Sequence, residues 1–269
     1  MGVVHLHRHS DFSLLDGIGT AEHYAKRAAE LGQDALAITD HGSLAGVLYH
    51  VEACHKVGVK PIVGMEAYFR VNTAEDKKNK NSRGYYHLVL LAKNQEGFRN
   101  LMRLSSESYS NDNFYQKPCI DWSLLRKHSK GLIASSSCLS GIIPQYYLSG
   151  DTEAALKTMR VFKDIFGEDF YLETQPHNFD DQRLVNIEVI NLASKEGVPV
   201  VAAVDAHYPL KGWDDTQDIS LMIATNSSLK KRKQSEEEGR DYMRFHGDTF
   251  WLMSEEELRQ SYKNYHSEI

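Results

Sequence analysis

The chain has 269 residues, 41% of them hydrophobic and 25% charged, a composition that excludes global disorder. A net charge of −6 excludes a protein that coats nucleic acid by bulk positive charge, and leaves room for an acidic metal site. Three cysteines in no paired pattern, no apolar run near the roughly 18 residues of a membrane span and no basic leader together predict a cytoplasmic protein without disulfides or a membrane partner.

The first stretch, Val3-Val4-His5-Leu6-His7-Arg8-His9-Ser10, reads as a strand. Alternate residues of a strand share a face, so His5, His7 and His9 are expected side by side. A row of imidazoles is a poor core and a good metal claw. Thr20 reads as the N-cap of a helix over 21–31 that stops at Gly32. The apolar run 35–38 has the pattern of a buried parallel strand and ends in Thr39-Asp40-His41-Gly42. A helix over about 44–57 and a strand over 61–64, ending in Met65-Glu66, complete a β-α-β-α-β alternation that predicts a parallel sheet or barrel.

The polar stretch 72–85 carries Lys77, Lys78, Lys80 and Arg83 and is expected to be a surface loop, with phosphate contact as the alternative. A strand over 86–91 follows, then a helix capped by Asn94, a looser stretch to Lys130 with a short helix near 122–127, and a strand over 131–134 leading to Cys138. Residues 152–166 are amphipathic, with Ala155, Leu156, Met159, Phe162 and Phe166 at helical spacing. A strand over 170–173, a helix over 181–196 and a strong strand over 198–204 end in Asp205-Ala206-His207. Beyond lie a helix near 214–224, a basic run 230–233, an acidic run 236–238, a short strand near 250–252 and a helix opened by Ser254 with Glu257 at capping-box spacing. With no repeat or linker, residues 1–210 are expected to form one barrel and 211–269 its extension.

Ligand-type residues collect where strands end. His7 and His9 follow the first strand with Asp16 beyond; Asp40 and His41 follow the second, Glu66 the third; Cys138, Asp205 and His207 follow later ones. Carboxyl ends of parallel strands are where α/β folds build sites. His87 fits less well, because it opens its strand and would lie at the wrong end of a parallel sheet. Imidazoles with carboxylates and one thiolate suit zinc best, with manganese or iron as alternatives. Their number exceeds one four-coordinate site and implies two or three divalent ions, with Glu66 able to bridge. Adjacent ions suit phosphoryl chemistry.

The run HLHRHS, the TDHG at 39–42, Glu66 in GVKPIVGMEAY, Cys138 in GLIASSSCLSG and Asp205-Ala206-His207 resemble the motifs of the PHP (polymerase and histidinol phosphatase) superfamily. SLLDG at 13–17, HLVLLAKNQEGFRNLMRLSS at 87–106 and AAVDAHYP at 202–209 resemble, more closely, the N-terminal PHP domain of the bacterial-type polymerase III α family. The resemblance implies a distorted (β/α)7 barrel and a three-metal cluster on His7, His9, Asp16, His41, Glu66, His87, Cys138, Asp205 and His207. All nine positions hold a ligand-competent residue, as in members that act as metal-dependent 3′→5′ proofreading exonucleases; members that have lost ligands keep the domain as a scaffold. It implies Glu66, Asp205, His207 and Asp16 as catalytic residues. The implied partners are a DNA 3′ end (single-stranded or mismatched), the remainder of a polymerase chain and other replisome subunits. Gln217 stands where that family commonly has histidine. The palm, fingers and thumb are absent, so the chain reads as an excised domain. Two other readings are a structural metal-binding module and a small-molecule phosphomonoesterase.

Other residues are assigned more modest roles. His5 is expected beside the ligands, Asp40 on a ligand imidazole, and Arg8 in a structural role. His177 is expected in a loop, with substrate contact as the alternative. His23, His50, His55, His128, His246 and His266 are expected on the surface, Cys54 in helix packing and the 230–233 run on a solvated face.

Overall fold

Short apolar runs form the strands, and the amphipathic runs between them form helices that cover the sheet. The computed structural model describes residues 2–71, 84–238, 245 and 247–268. Its strands are β1 Ala35–Ile38, β2 Lys60–Arg70, β3 Tyr86–Ala92, β4 Phe114–Tyr115, β5 Lys117–Asp121, β6 Leu132–Ser135, β7 Phe170–Thr174 and β8 Val200–Ala202. Its helices are α1 Ala21–Glu30, α2 Val47–Val57, α3 Gln95–Ser108, α4 Trp122–His128, α5 Ile142–Leu148, α6 Thr152–Phe166, α7 Asp180–Glu196, α8 Asp214–Ala224, α9 Leu229–Glu237 and α10 Glu255–Tyr265. The expected caps are present: Thr20, Asn94 and the Ser254–Glu257 capping box each satisfy a first-turn N–H.

The sheet is mixed, which corrects the expectation of a parallel one. β1 pairs parallel with the first half of β2, and β6, β7 and β8 pair parallel in that order. Between them β3 runs antiparallel to both β2 and β6. β2 is longer than its apolar run suggested, because its second half is held by the ladder from Gly64↔Leu91 to Phe69↔Tyr86.

The N-terminal segment closes the ring. Ala37 N donates to His5 O (3.0 Å) and Thr39 N to Arg8 O (2.9 Å) on one side; on the other, His9 N donates to Ala206 O (2.8 Å) and Ala206 N to His7 O (3.2 Å). Among the described residues the circuit is therefore the N-terminal segment, β1, β2, β3, β6, β7 and β8. This is the distorted (β/α)7 barrel, with the β4–β5 hairpin attached at the far end of β2. That hairpin and α5 have no counterpart in the sequence reading. The expected strand at 250–252 is a single bridge from Trp251 to Tyr208.

Most of the core lies between the sheet and α3, α5, α6 and α7, where Phe69, Phe162 and Phe170 are fully buried. A second core packs α1 and α2 against residues 250–253. There Arg8 is buried: its Nε donates to Ala37 O (2.8 Å), Nη2 lies 3.1 Å from His50 Nδ1, and its guanidinium sits 4.4 Å from the centre of the Tyr24 ring. His50, His128 and His266 are buried rather than on the surface, each tied to a carbonyl or carboxylate: Leu36 O, Glu107 and His177 O. Among the described residues no helix is long and apolar enough to cross a membrane. His246 and the basic residues Lys77, Lys78, Lys80 and Arg83 lie outside the described residues.

Candidate metal centre

His7 and His9 leave the extended N-terminal segment on one side, as alternate residues do. His7 Nε2 lies 3.0 Å from Glu66 Oε1 and 3.2 Å from Asp205 Oδ1. His9 Nε2 lies 3.1 Å from Asp205 Oδ1 and 3.5 Å from Glu66 Oε2. His41, bridged to Glu66 just past β1, puts Nδ1 2.8 Å from Glu66 Oε2 and Nε2 2.6 Å from Asp16 Oδ2. His207 Nε2 faces the same Asp16 oxygen at 3.6 Å. Cys138 Sγ is 3.7 Å from both Glu66 Oε1 and His87 Nδ1.

His87 Nδ1 is itself 3.1 Å from Glu66 Oε1. The antiparallel course of β3 explains this: the start of a reversed strand lies at the same end of the barrel as the finish of its parallel neighbours. All nine predicted positions therefore meet, with Glu66 at the hub. Three overlapping triads bring ligand atoms within 4.8 Å of one another: His9, His41 and His207; His7, His9 and Glu66; His41, Glu66 and His87.

Whether cations fit is decided by the polar atoms left over. His7 Nε2, His9 Nε2, Asp16 Oδ1, His41 Nδ1, Glu66 Oε2 and Asp205 Oδ1 are buried, yet none has a hydrogen-bond partner of good geometry. Buried polar groups are normally satisfied, and these six belong to residues gathered in the one cluster. A set of imidazole nitrogens and carboxylate oxygens waiting on a common centre fits divalent cations.

The surrounding shell fixes which nitrogen is available. His7 Nδ1 donates to Glu173 (2.7 Å), whose other oxygen accepts from Ser135 Oγ (2.6 Å), so the lone pair of Nε2 faces the centre. His207 Nδ1 donates to Asp205 O (2.8 Å) with the same effect. Asp40 corrects its expected role. It accepts from Ser10 N, Ser10 Oγ and Ser13 Oγ and touches no ligand ring; Ser13 Oγ passes the constraint on to His9 Nδ1 (3.1 Å). His5 is committed elsewhere, its Nε2 2.7 Å from Met253 O. Glu173 and Ser137, which hydrogen-bonds Glu66, were missed by sequence reasoning; Glu173 closing β7 was the available signal. Gln217 Nε2 donates to Asp16 O (3.3 Å) and steadies that loop.

Electrostatics match the geometry. Burial opposes charge here, yet His7, His41 and His207 and the carboxylates of Asp16, Glu66 and Asp205 hold one another ionised, whereas burial, then His41 and His207, lower His9 to about 4. His7 is raised well above the ordinary imidazole range because Asp205, Glu173 and Glu66 outweigh its burial. His41 is raised to about 10 in the same way by Glu66 and Asp16. Glu66 and Asp16 are driven well below the carboxylate range by the histidines despite burial. Burial, then Glu66 and Asp205, push the Cys138 thiol well up.

The family comparison agrees with this arrangement. The PHP domain model matches residues 5–177. The chain belongs to the PHP family. This PHP domain is 39% identical over 267 residues to the DNA polymerase III subunit alpha of Treponema pallidum, covering 98% of this chain and 22% of that one. It is 39% identical over 257 residues to the Borreliella burgdorferi protein of the same name, with 95% and 22% covered, and 43% identical over 212 residues to that of Aquifex aeolicus, with 76% and 18% covered. The PHP domain thus spans about a fifth of the length of these curated relatives. It is homologous to a part of such polymerase chains.

Proposed function

We propose that this PHP domain is a metal-dependent phosphodiesterase that removes nucleotides from DNA 3′ ends, the proofreading 3′→5′ exonuclease of a replicative polymerase α chain. The observation that carries the reading is the convergence of nine ligand-type side chains, among them three triads with ligand atoms close together and six buried atoms without a hydrogen-bond partner. Two or three divalent cations, zinc foremost with manganese or iron as alternatives, would be held by His7, His9, Asp16, His41, Glu66, His87, Cys138, Asp205 and His207. Bound there, they supply Lewis acidity to a phosphodiester and lower the pKa of water toward neutrality.

The chain's own residues do the rest. Glu66 reaches His7, His9, His41 and His87 with its two oxygens, so one carboxylate ties the subsites together. Asp205 and Glu66 stay ionised at neutral pH and keep the floor of the site negative. Glu173, Ser13 and the Asp205 carbonyl hold three imidazoles in one tautomer. Asp16 and His41 are partly exposed and stand at the mouth, where substrate arrives. Glu66, Asp205, His207 and Asp16 are the residues assigned to catalysis.

A structural role is compatible with this one. The ligands come from well-separated segments between His7 and His207, so occupied sites would staple the ring. A primer with a labelled 3′ mismatch and p-nitrophenyl phosphate, offered to the same metal-loaded sample, test the reading. Shortening of the primer supports the phosphodiesterase. Hydrolysis of the small ester alone makes it a phosphomonoesterase, and inertness toward both with a metal-dependent melting temperature makes it a structural module.

A further inference from the structure

Outside the candidate centre lies a groove of about 510 Å³ whose wall includes Asp16, His41 and His87. From that wall aromatic faces continue outward. The Tyr68 ring is 5.8 Å from His41 and 5.5 Å from His87, and Tyr85 is 4.9 Å from Tyr68. Tyr109, 54% exposed, lines the groove with them. Among the described lining residues Lys117 is the one lysine or arginine, with its Nζ 5.2 Å from the Tyr68 ring centre.

Leu14 and Leu15 also line the groove, 82% and 43% exposed. Leu15 sits at φ 63°, a left-handed conformation that costs a branched side chain free energy and recurs at functional sites. The loop therefore holds two leucines in water, at a backbone cost, immediately before the candidate ligand Asp16. Neither contributes to the core.

A phosphate-binding surface would be rich in lysine and arginine; the described lining of this one is rich in π faces. We propose that the groove is a nucleobase subsite, in which the terminal bases of a single-stranded DNA 3′ end stack on Tyr85 and Tyr109 while Leu14 and Leu15 cover them. The proposal rests on the phosphodiesterase reading and specifies how that site takes its substrate. Stacking is tolerant of sequence, because every base offers a π face. It is open only to unpaired bases, and a mismatched end costs least to unstack. The groove would thus select frayed ends without reading their sequence.

The test uses the metal-loaded protein and an oligodeoxynucleotide ending in 2-aminopurine, its last linkage a phosphorothioate that resists cleavage. Stacking quenches the fluorophore. The expected result is saturable quenching, about tenfold weaker binding for Tyr109→Ala and for Tyr85→Ala, and recovery with Tyr109→Trp. Leu14→Ser, at a position too exposed to matter for folding, is expected to weaken binding as well. Absence of quenching, or quenching that the alanine variants leave unchanged in folded protein, overturns the proposal. A wild-type protein that shortens a mismatched primer but shows no quenching loses the groove and keeps the phosphodiesterase. Tyrosine-dependent quenching without any cleavage keeps the groove and removes the enzyme reading.

Discussion

Glu173→Gln tests the supporting shell without touching a proposed ligand. The Glu173 carboxylate is buried and accepts from His7 Nδ1 (2.7 Å), Ser135 Oγ (2.6 Å) and Gln175 Nε2 (2.8 Å). Glutamine has the same shape, and its amide oxygen can still receive the His7 N–H. The charge is lost, however, and its amide nitrogen must face a group that was donating. A hydrogen bond to a charged group contributes roughly 1.5–3 kcal/mol and a neutral one roughly 0.5–1.5. That group is the Ser135 hydroxyl, which can turn to accept, so the difference is about 1–1.5 kcal/mol, or roughly a tenfold loss of cation affinity. Glu173 also helps to hold a proton on His7 in the metal-free protein. A divalent cation carries twice that proton's charge, so weaker proton competition does not cancel the loss. Competition against a chromophoric chelator at neutral pH, with circular dichroism to confirm folding, measures the shift. A folded Glu173→Gln variant that binds zinc and manganese as tightly as wild type refutes the reasoning.

Four further outcomes are expected. Glu66→Gln removes the hub charge and should lower bound-cation stoichiometry, measured by elemental analysis, rather than only weaken one site. Chelation should lower the melting temperature, because a ligand present at about a thousand times its Kd contributes roughly 4 kcal/mol; an unchanged melt would show that the sites do not staple the ring. Burial, and then the neighbouring Arg8 guanidinium, lower the His50 pKa to about 3 from the ordinary 6.5. Its neutral form is favoured by folding, so the associated stability is present above pH 6.5 and lost as pH falls from there toward 3. His50→Gln should remove about 2 kcal/mol of the stability difference between pH 7 and pH 5, read from urea titrations. Gly97→Ala would place a Cβ 1.7 Å from Gly131 O, backbone that cannot step aside, and should cost about 3 kcal/mol or more in the same assay.

Strand-end logic located most of the centre from sequence, because a parallel strand delivers its last residues to one rim wherever it lies in the sheet. It failed at His87, where the direction of β3 decides the rim and no local pattern records direction. Glu173 was passed over for a different reason: its place near the end of β7 was a signal, but its partner His7 is 166 residues away, and nothing beside it marks the pairing. The three buried histidines assigned to the surface show the same limit. His50, for instance, is polar in a helix sequence, and its burial follows from partners distant in sequence, the Leu36 carbonyl and Arg8. The three imidazoles of the opening strand look equivalent by period. The carbonyl of Met253 separates His5 from the other two.

The most direct test of the central claim is a single-turnover assay on metal-analysed protein with a primer labelled internally and mismatched at its 3′ terminus. The account predicts stepwise shortening from the 3′ end, dependent on bound cation and abolished by Asp205→Asn in a folded variant. A primer left intact by protein carrying two or three cations per chain would contradict it.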